Sequence, residues 1–402
     1  MEFSFDLDII YSPLAQALVG VGLVAALYLI VIYRGAIASV VKHYRVAMRR
    51  RADGDAGSAV PSLSVIVYCK DSARALDRML PEVLAQNLDA PFEVIVANDG
   101  RNGDAEDVVK LLSTHHRNLR MTYVPDDAHA LSRKKLAVTL GIKAARYDYV
   151  VLTDANVHIE SHEWLSGIAR HFAQGKQVVI ATSYPMGERR MHGISRYNML
   201  ADKVTYLSSA ISGKPYRATE CNMAFHRQLF FGNNGFTASV ELHHGIDDIF
   251  LSGIVADRNY AVELSKPTQI GRSVDAFGGK YNVERVRYEF TGRHLSHCMR
   301  RRMGFGSVAM WAWLGATVAS GILLMPNVLP LAALALTGVA WIVTAAVAWR
   351  HASRALQVPV NGWLTPFYMF WHPLSTLFMR ITGLRLRSTN YTWAKPLSDK
   401  HL

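Results

Sequence analysis

Charged residues are scarce in this chain of 402 residues, at 19%, while half of it is hydrophobic. That much apolar surface excludes a mainly disordered protein. Cysteine is scarcer still: Cys69, Cys221 and Cys298 are far apart and odd in number. They form neither a disulfide framework nor a zinc-ligand pattern, so the soluble part belongs in a reducing compartment. No repeat of roughly 20–50 residues occurs, which argues against a solenoid or propeller. Acidic residues are outnumbered 32 to 44, for a net charge of +12. Such an excess suits nucleic acid or anionic lipid. No base-reading motif accompanies it and much of it flanks apolar runs, so no nucleic-acid partner is expected. The mean hydropathy of +0.09 fits a soluble domain joined to a few membrane segments.

The first apolar run, Pro13 to Tyr33, carries no charge. At about 1.5 Å per residue it is long enough to cross a hydrocarbon core of about 30 Å. A signal peptide is the competing reading, but Glu2, Asp6 and Asp8 stand where a basic leader belongs. Lys42, His43, Arg45, Arg49, Arg50 and Arg51 follow, and the positive-inside bias places residue 42 onward in the cytosol. Residues 1–51 are therefore read as an N-terminal transmembrane anchor with a basic flank, and 52–60 as a linker. Between 61 and 302, apolar runs at 62–69, 92–99, 147–154 and 177–184 alternate with helical stretches at 76–88 and 133–146. Continuous Val/Ile strands are buried on both faces, which predicts an α/β fold with a Rossmann-like, mostly parallel sheet.

Residues 303–354 predict a transmembrane helix pair that turns at 325–330, with Arg350 and Arg354 returning the chain to the cytosol. The stretch 355–379 is uncharged, contains Pro359, Pro366 and Pro373, and is rich in aromatics. It predicts an interfacial or re-entrant hairpin, followed by a cytosolic tail to residue 402.

Three segments of the middle domain carry chemistry. Asp154 and Asn156 end an apolar strand, where alternate side chains share a face. Two oxygens there suit Mg²⁺ or Mn²⁺ with diphosphate oxygens, although Asp and Asn also simply end strands in turns. Asp247-Asp248 precede an apolar run, as a helix cap or as a general base whose pKa is adjusted by its neighbour. Arg133-Lys134-Lys135 open a helix, where cations oppose the dipole unless an anion is near. A bound diphosphate would be that anion; a solvated patch is the alternative.

Taken in order, SVIVYCKDSARAL, FEVIVANDGRNGD, SRKKLAVTLGIKAARYDYVVLTDAN, CNMAFHR and GIDD resemble a family-2 glycosyltransferase with a GT-A fold, of the membrane-anchored bacterial type. The resemblance covers roughly 61–302 and implies an inverting transfer from a nucleotide-sugar, with UDP as the expected nucleotide. It implies that Tyr68, Lys70 and Asp71 line the nucleotide pocket, that Asp99 meets the uracil edge, and that Lys134 lies near the donor. Asp154 and Asn156 take the metal-binding DxD positions, Asn222 the acceptor side, and Asp248 with Asp247 the catalytic positions. Arg293 and His294 are a weaker match to a diphosphate contact. A lipid-linked or envelope glycan acceptor is implied at the cytosolic face of the inner membrane, with membrane lipids around a multi-pass protein. Asn156 in place of Asp, and His297-Cys298-Met299-Arg300-Arg301 in place of Gln-x-x-Arg-Trp, depart from the pattern. These departures motivate the alternative of a catalytically silent, membrane-bound relative that binds sugar nucleotide or serves as a scaffold.

Overall fold

The computed structural model describes residues 7–52, 59–100, 103–128, 132–187, 191–256, 258–273, 279–292, 297–324 and 327–385. A 40-residue helix, α1 (Pro13–Ala52), joins the apolar run and its basic flank without a break. Strand and helix then alternate: β1 (Leu63–Cys69), α2 (Ala73–Leu84), β2 (Phe92–Asn98), α3 (Asp104–Ser113), β3 (Leu119–Tyr123), α4 (Arg133–Ala144) and β4 (Tyr149–Asp154). Next come β5 (Val157–His158), α5 (Trp164–Ala173), β6 (Val178–Ile180), β7 (Ser183–Met186), α6 (Gly193–Ile211), β8 (Met223–His226) and α7 (Arg227–Gly232). The chain continues through α8 (Ile249–Ile254), β9 (Tyr260–Val262), β10 (Ile270–Ser273) and α9 (Gly279–Thr291). It closes on α10 (His297–Leu323), α11 (Leu329–Ala355) and α12 (Thr365–Arg385).

The main sheet is ordered β3-β2-β1-β4-β8-β6-β9, and a smaller one β5-β10-β7. In the main sheet only β8 runs antiparallel to its neighbours, so the mostly parallel sheet read from the sequence is present. Val65 and Val67 of β1 join Leu76 and Met79 of α2 and Ile168 of α5 in one core. Ile66 joins Ala137 and Ile142 of α4 and Leu200 of α6 in the other. A strand covered on both faces has to be apolar along its length, which is why these runs show no alternation. The run 177–184 divides between the two sheets. Pro185, with no N–H to donate, sits in β7 at the edge of the smaller one.

Successive strands leave β1 toward opposite sides, through β2 and through β4. Ligands of open α/β sheets bind outside the carboxyl ends of strands at such a switch point. Here Tyr68 at the end of β1 is in register with Asp154 at the end of β4.

Helices α1 and α11 are each long and apolar enough to cross a membrane, whereas the apolar part of α10, Val308–Leu323, is shorter. They approach closely at glycine. A Cβ on Gly22 would fall 2.2 Å from Leu334 Cδ2, and one on Gly338 2.4 Å from the Trp313 ring. Such small-residue contacts are how helices associate in lipid. The basic end of α1 is fixed to the sheet domain: His43 Nε2 donates to the Val262 carbonyl at 2.6 Å, and Arg51 pairs with Glu163.

The stretch 355–379 is not a hairpin. Beyond a single turn at Gly362–Leu364 it is one helix, α12, that runs through Pro373. Contacts along its length hold it there. Tyr368 and Met369 are buried, His372 Nδ1 lies 2.7 Å from Asn198 Oδ1 of α6, and Arg285 of α9 donates to Ser375 and Thr376. The tail expected in the cytosol lies outside the described residues from 386 onward.

Candidate active site

The first turn of α4 sends three adjacent cations to three different places, because successive helical residues point about 100° apart. Arg133 Nε donates to Asp99 Oδ1 at 2.6 Å. Lys134 Nζ lies 3.0 and 3.2 Å from the two Asp154 oxygens and 3.1 Å from Glu220 Oε1. Lys135 turns inward and donates to the Ser239 carbonyl, the Ser239 hydroxyl and the Leu242 carbonyl at 2.6–3.0 Å. The helix dipole is thus opposed by cations that protein oxygens already hold, and Lys135 is no solvated patch. Burial pulls the Lys134 ammonium down, but the Asp154 and Glu220 carboxylates outweigh it and hold it above the ordinary lysine value.

Lys134 Nζ also sits 4.6 Å from the centre of the Tyr68 ring, and the Tyr68 hydroxyl donates to Asp99 Oδ2 at 3.1 Å. Burial, and then the Asp99 charge, push the Tyr68 phenol upward, so it stays a donor. Both oxygens of the buried Asp99 are therefore engaged, one by Arg133 and one by Tyr68. Lys70 and Asp71 are exposed on the loop after β1, where Asp71 takes a left-handed φ of 46°. A Cβ on Gly100 would fall 2.7 Å from Asp71 Oδ1 and 3.0 Å from the Asp71 nitrogen, so the β1 and β2 loops meet there. Tyr68, Lys70, Asp71, Asp99, Lys134 and Asp154 thus gather at one end of the sheet.

Asp247 and Asp248, which line the same cavity as Lys134 and Asp154, precede α8. Asp248 Oδ1 accepts the Ile249 N–H at 2.6 Å and Oδ2 accepts the Thr291 hydroxyl, so Asp248 caps the helix and faces the site at once. Asp247 Oδ2 accepts the Tyr288 hydroxyl, and the Arg217 guanidinium lies 3.5 Å from the centre of that ring. Burial, then the Asp248 and Glu220 charges, push the Asp247 carboxyl well above the usual carboxylate range. Glu284, Tyr288 and Thr291 follow the i, i+4, i+7 spacing of one α9 face. Arg272 of β10 grips Glu284 through both guanidinium nitrogens, at 2.9 and 2.5 Å.

Lys134, Asp154, Glu220, Asp247 and Asp248 line one cavity of about 410 Å³. Asn156 is not in its wall. It occupies the exposed turn after β4, where the strand face shared with Asp154 has already ended. Asn222, expected on the acceptor side, is fully buried beneath the site. Its Oδ1 accepts from Trp164 Nε1 at 3.0 Å, and its Nδ2 donates to the Thr182 and Thr268 carbonyls at 2.7 and 2.9 Å. A fully bonded core amide holds no acceptor. Arg293 and His294 lie outside the described residues.

Among the described residues no group of three or more His, Cys, Asp or Glu is arranged for a metal. Mg²⁺ and Mn²⁺ do not require one, because one or two carboxylates plus substrate phosphates commonly hold Mg²⁺. Asp154 and Glu220 both reach the same ammonium within 3.1 Å, so they fit that donor set, with Glu220 where Asn156 was expected. Glu220, Arg217, Tyr288 and Thr291 are not legible as site residues. The only trace of Glu220 is its place directly before the CNMAFHR segment, and the mixed sequence of α9 marks no face.

A mostly parallel sheet, a cation–carboxylate cluster at its strand ends and a carboxylate pair across one cavity together define a GT-A glycosyltransferase. The chain belongs to glycosyl transferase family 21, whose sequence model matches residues 27–388. The glycosyltransferase class and GT-A fold expected from the motifs are borne out, and the matching family is 21 where the motifs resembled family 2. The chain is 24% identical over 160 residues to chondroitin synthase of Pasteurella multocida (strain Pm70), covering 40% of this chain and 15% of that protein. It therefore spans a small part of that relative's length. Its fold is similar to the mannosyltransferase PcManGT from Pyrobaculum calidifontis in complex with GDP-Man and Mn²⁺, at 16% identity and a TM-score of 0.50, covering 89% of this chain and 98% of that one. It is also similar to S. aureus TarS 1–349 in complex with UDP-GlcNAc, at 12% identity and a TM-score of 0.41, covering 80% and 90% of the two chains.

Proposed function

We propose that the cavity between β4 and α9 moves a hexosyl or N-acetylhexosaminyl group from a UDP-sugar to a lipid-linked or envelope glycan acceptor at the cytosolic membrane face. The observation that carries this reading is the shared cavity, which the Lys134, Asp154 and Glu220 cluster and the Asp247–Asp248 pair line together. The first group suits a diphosphate, and the second suits a hydroxyl that must lose its proton.

In the transfer, the acceptor oxygen attacks the anomeric carbon as the bond from that carbon to the diphosphate oxygen breaks. The proton of the acceptor hydroxyl passes to Asp248, the electron pair leaves with the nucleoside diphosphate, and configuration inverts. A positioned base of this kind contributes about 10²- to 10⁴-fold. Asp247 accepts the Tyr288 hydroxyl beside the base, and burial with the Asp248 and Glu220 charges pushes its carboxyl upward. Lys134 meets the negative charge that grows on the leaving diphosphate, the role in which preorganised cations are most effective. Mg²⁺ or Mn²⁺ held by Asp154 and Glu220 would add further positive charge at that point.

The exposed position of Asn156 keeps the silent-relative reading open as the competitor. Purified full-length protein, offered a panel of UDP- and GDP-sugars with Mn²⁺, separates the two. Release of nucleoside diphosphate that depends on one sugar supports transfer. Binding of a donor with no release from any member supports the silent relative.

A further inference from the structure

Two large clefts lie along the basic end of α1. Facing the sheet domain, Arg51 pairs with Glu163, and His171 Nε2 lies 2.7 Å from Glu263 Oε2, in a cleft that Lys42 and Arg50 also line. On the other side, between α1 and α11, a groove of about 800 Å³ is lined by Arg34, Lys42, Arg45 and Arg49 of α1 and by His351 of α11. All five are exposed, and none of the four α1 cations has an ion-pair or hydrogen-bond partner among the described residues. The sequence supplies no counter-charge. No Asp or Glu occurs between Asp8 and Asp53, nor between Glu289 and Asp399.

The floor of the same groove is apolar, formed by Ile37 and Val41 of α1 and by Val343, Val347 and Ala348 of α11. Val343 and Val347 stay 55% and 54% exposed although the helix around them is membrane-like. Lys42, Arg45 and Arg49 follow the i, i+3, i+7 spacing of one helix face, and Arg34 lies two turns earlier on it. The cationic stripe therefore runs along the apolar floor.

We propose that this groove binds one anionic phospholipid, its phosphate between the α1 cations and an acyl chain along Val41, Val343 and Val347. Charge complementarity selects an anionic headgroup, and the apolar floor selects a lipid over a free phosphate. The lipid ties α11 to the segment of α1 that His43 and Arg51 fix to the catalytic domain. The proposal rests on the reading of α1 and α11 as membrane helices.

The test uses the full-length protein in nanodiscs of phosphatidylcholine alone, or of phosphatidylcholine and phosphatidylglycerol at roughly three to one. Lipid retained after transfer to detergent is counted by native mass spectrometry. The wild type is expected to retain phosphatidylglycerol over phosphatidylcholine. The combined variant Arg34→Gln, Lys42→Gln, Arg45→Gln, Arg49→Gln is expected to lose about tenfold or more of it. Its thermal midpoint in phosphatidylcholine should match the wild type, because the four side chains are exposed. Val347→Gln is expected to weaken retention with the cations intact. Equal retention by wild type and the combined variant, or no preference for phosphatidylglycerol, overturns the proposal. Displacement of the lipid by inorganic phosphate overturns the lipid as its ligand. Release of wild type from membranes by alkaline carbonate overturns the membrane reading itself, a result distinct from the others.

Discussion

Arg272 on β10 and Glu284 on α9 form a two-pronged ion pair that fixes the helix carrying Tyr288 and Thr291 over the carboxylate pair. Glu284→Gln keeps the size of the side chain and removes its charge. Arg272 is about a third exposed, so the loss of stability is expected to be modest, about 1–3 kcal/mol. Activity should fall as well, by about tenfold in kcat even in the folded fraction, because Tyr288 and Thr291 lose their position. A thermal melt and a kcat measurement on the same preparation compare the two.

Asp247 gives a signed pH dependence. Its carboxyl is raised by burial and by the neighbouring Asp248 and Glu220 charges, so ionising it works against the folded state. That penalty is absent below the ordinary carboxylate pKa of about 4 and grows as pH rises toward the folded value. Asp247→Asn removes the penalty. Its thermal midpoint should gain on the wild type between about pH 4 and neutrality, and the two should converge at lower pH. Parallel curves over that range would mean that Asp247 ionises freely in the fold.

Lys134 is expected to be the donor-side residue least tolerant of change. Lys134→Met leaves Asp154 and Glu220 without their shared cation, and transfer should drop by about 10²-fold. Added Mn²⁺ should restore part of the loss, because a divalent ion fits the two carboxylates the lysine vacates. A titration of rate against Mn²⁺ for both proteins checks this.

Asn222 separates a core role from an acceptor role. Asn222→Ala strands the Trp164 N–H and the Thr182 and Thr268 carbonyls in a buried site, at about 1–3 kcal/mol for each group left unpaired. A lower thermal midpoint with an unchanged acceptor KM in the folded fraction is the expected result. A changed KM at full stability would return Asn222 to the acceptor side.

Much of the fold was legible because burial imposes composition. Strands β1, β2 and β4 are covered on both faces, so they appear as unbroken Val/Ile runs. Tyr68, Asp99 and Asp154 were legible because each sits on or beside such a run, and Lys134 because it stands among three cations that open a helix. The partners added by α9 were not, since Glu284, Tyr288 and Thr291 face a polar cavity and break no hydrophobic rhythm. Asn156 was misplaced because alternation along β4 was carried one step too far, into a turn. Pro373 suggested a break in α12 that tertiary contacts with α6 and α9 override.

The central claim is that Asp248 accepts the proton of an acceptor hydroxyl as a sugar leaves its nucleotide. The most direct test measures nucleoside diphosphate release from the best donor, with acceptor membranes and Mn²⁺, for wild type and Asp248→Asn of matched thermal midpoint. The account predicts a loss of about 10²- to 10⁴-fold in the variant. Equal release by the two proteins would contradict it.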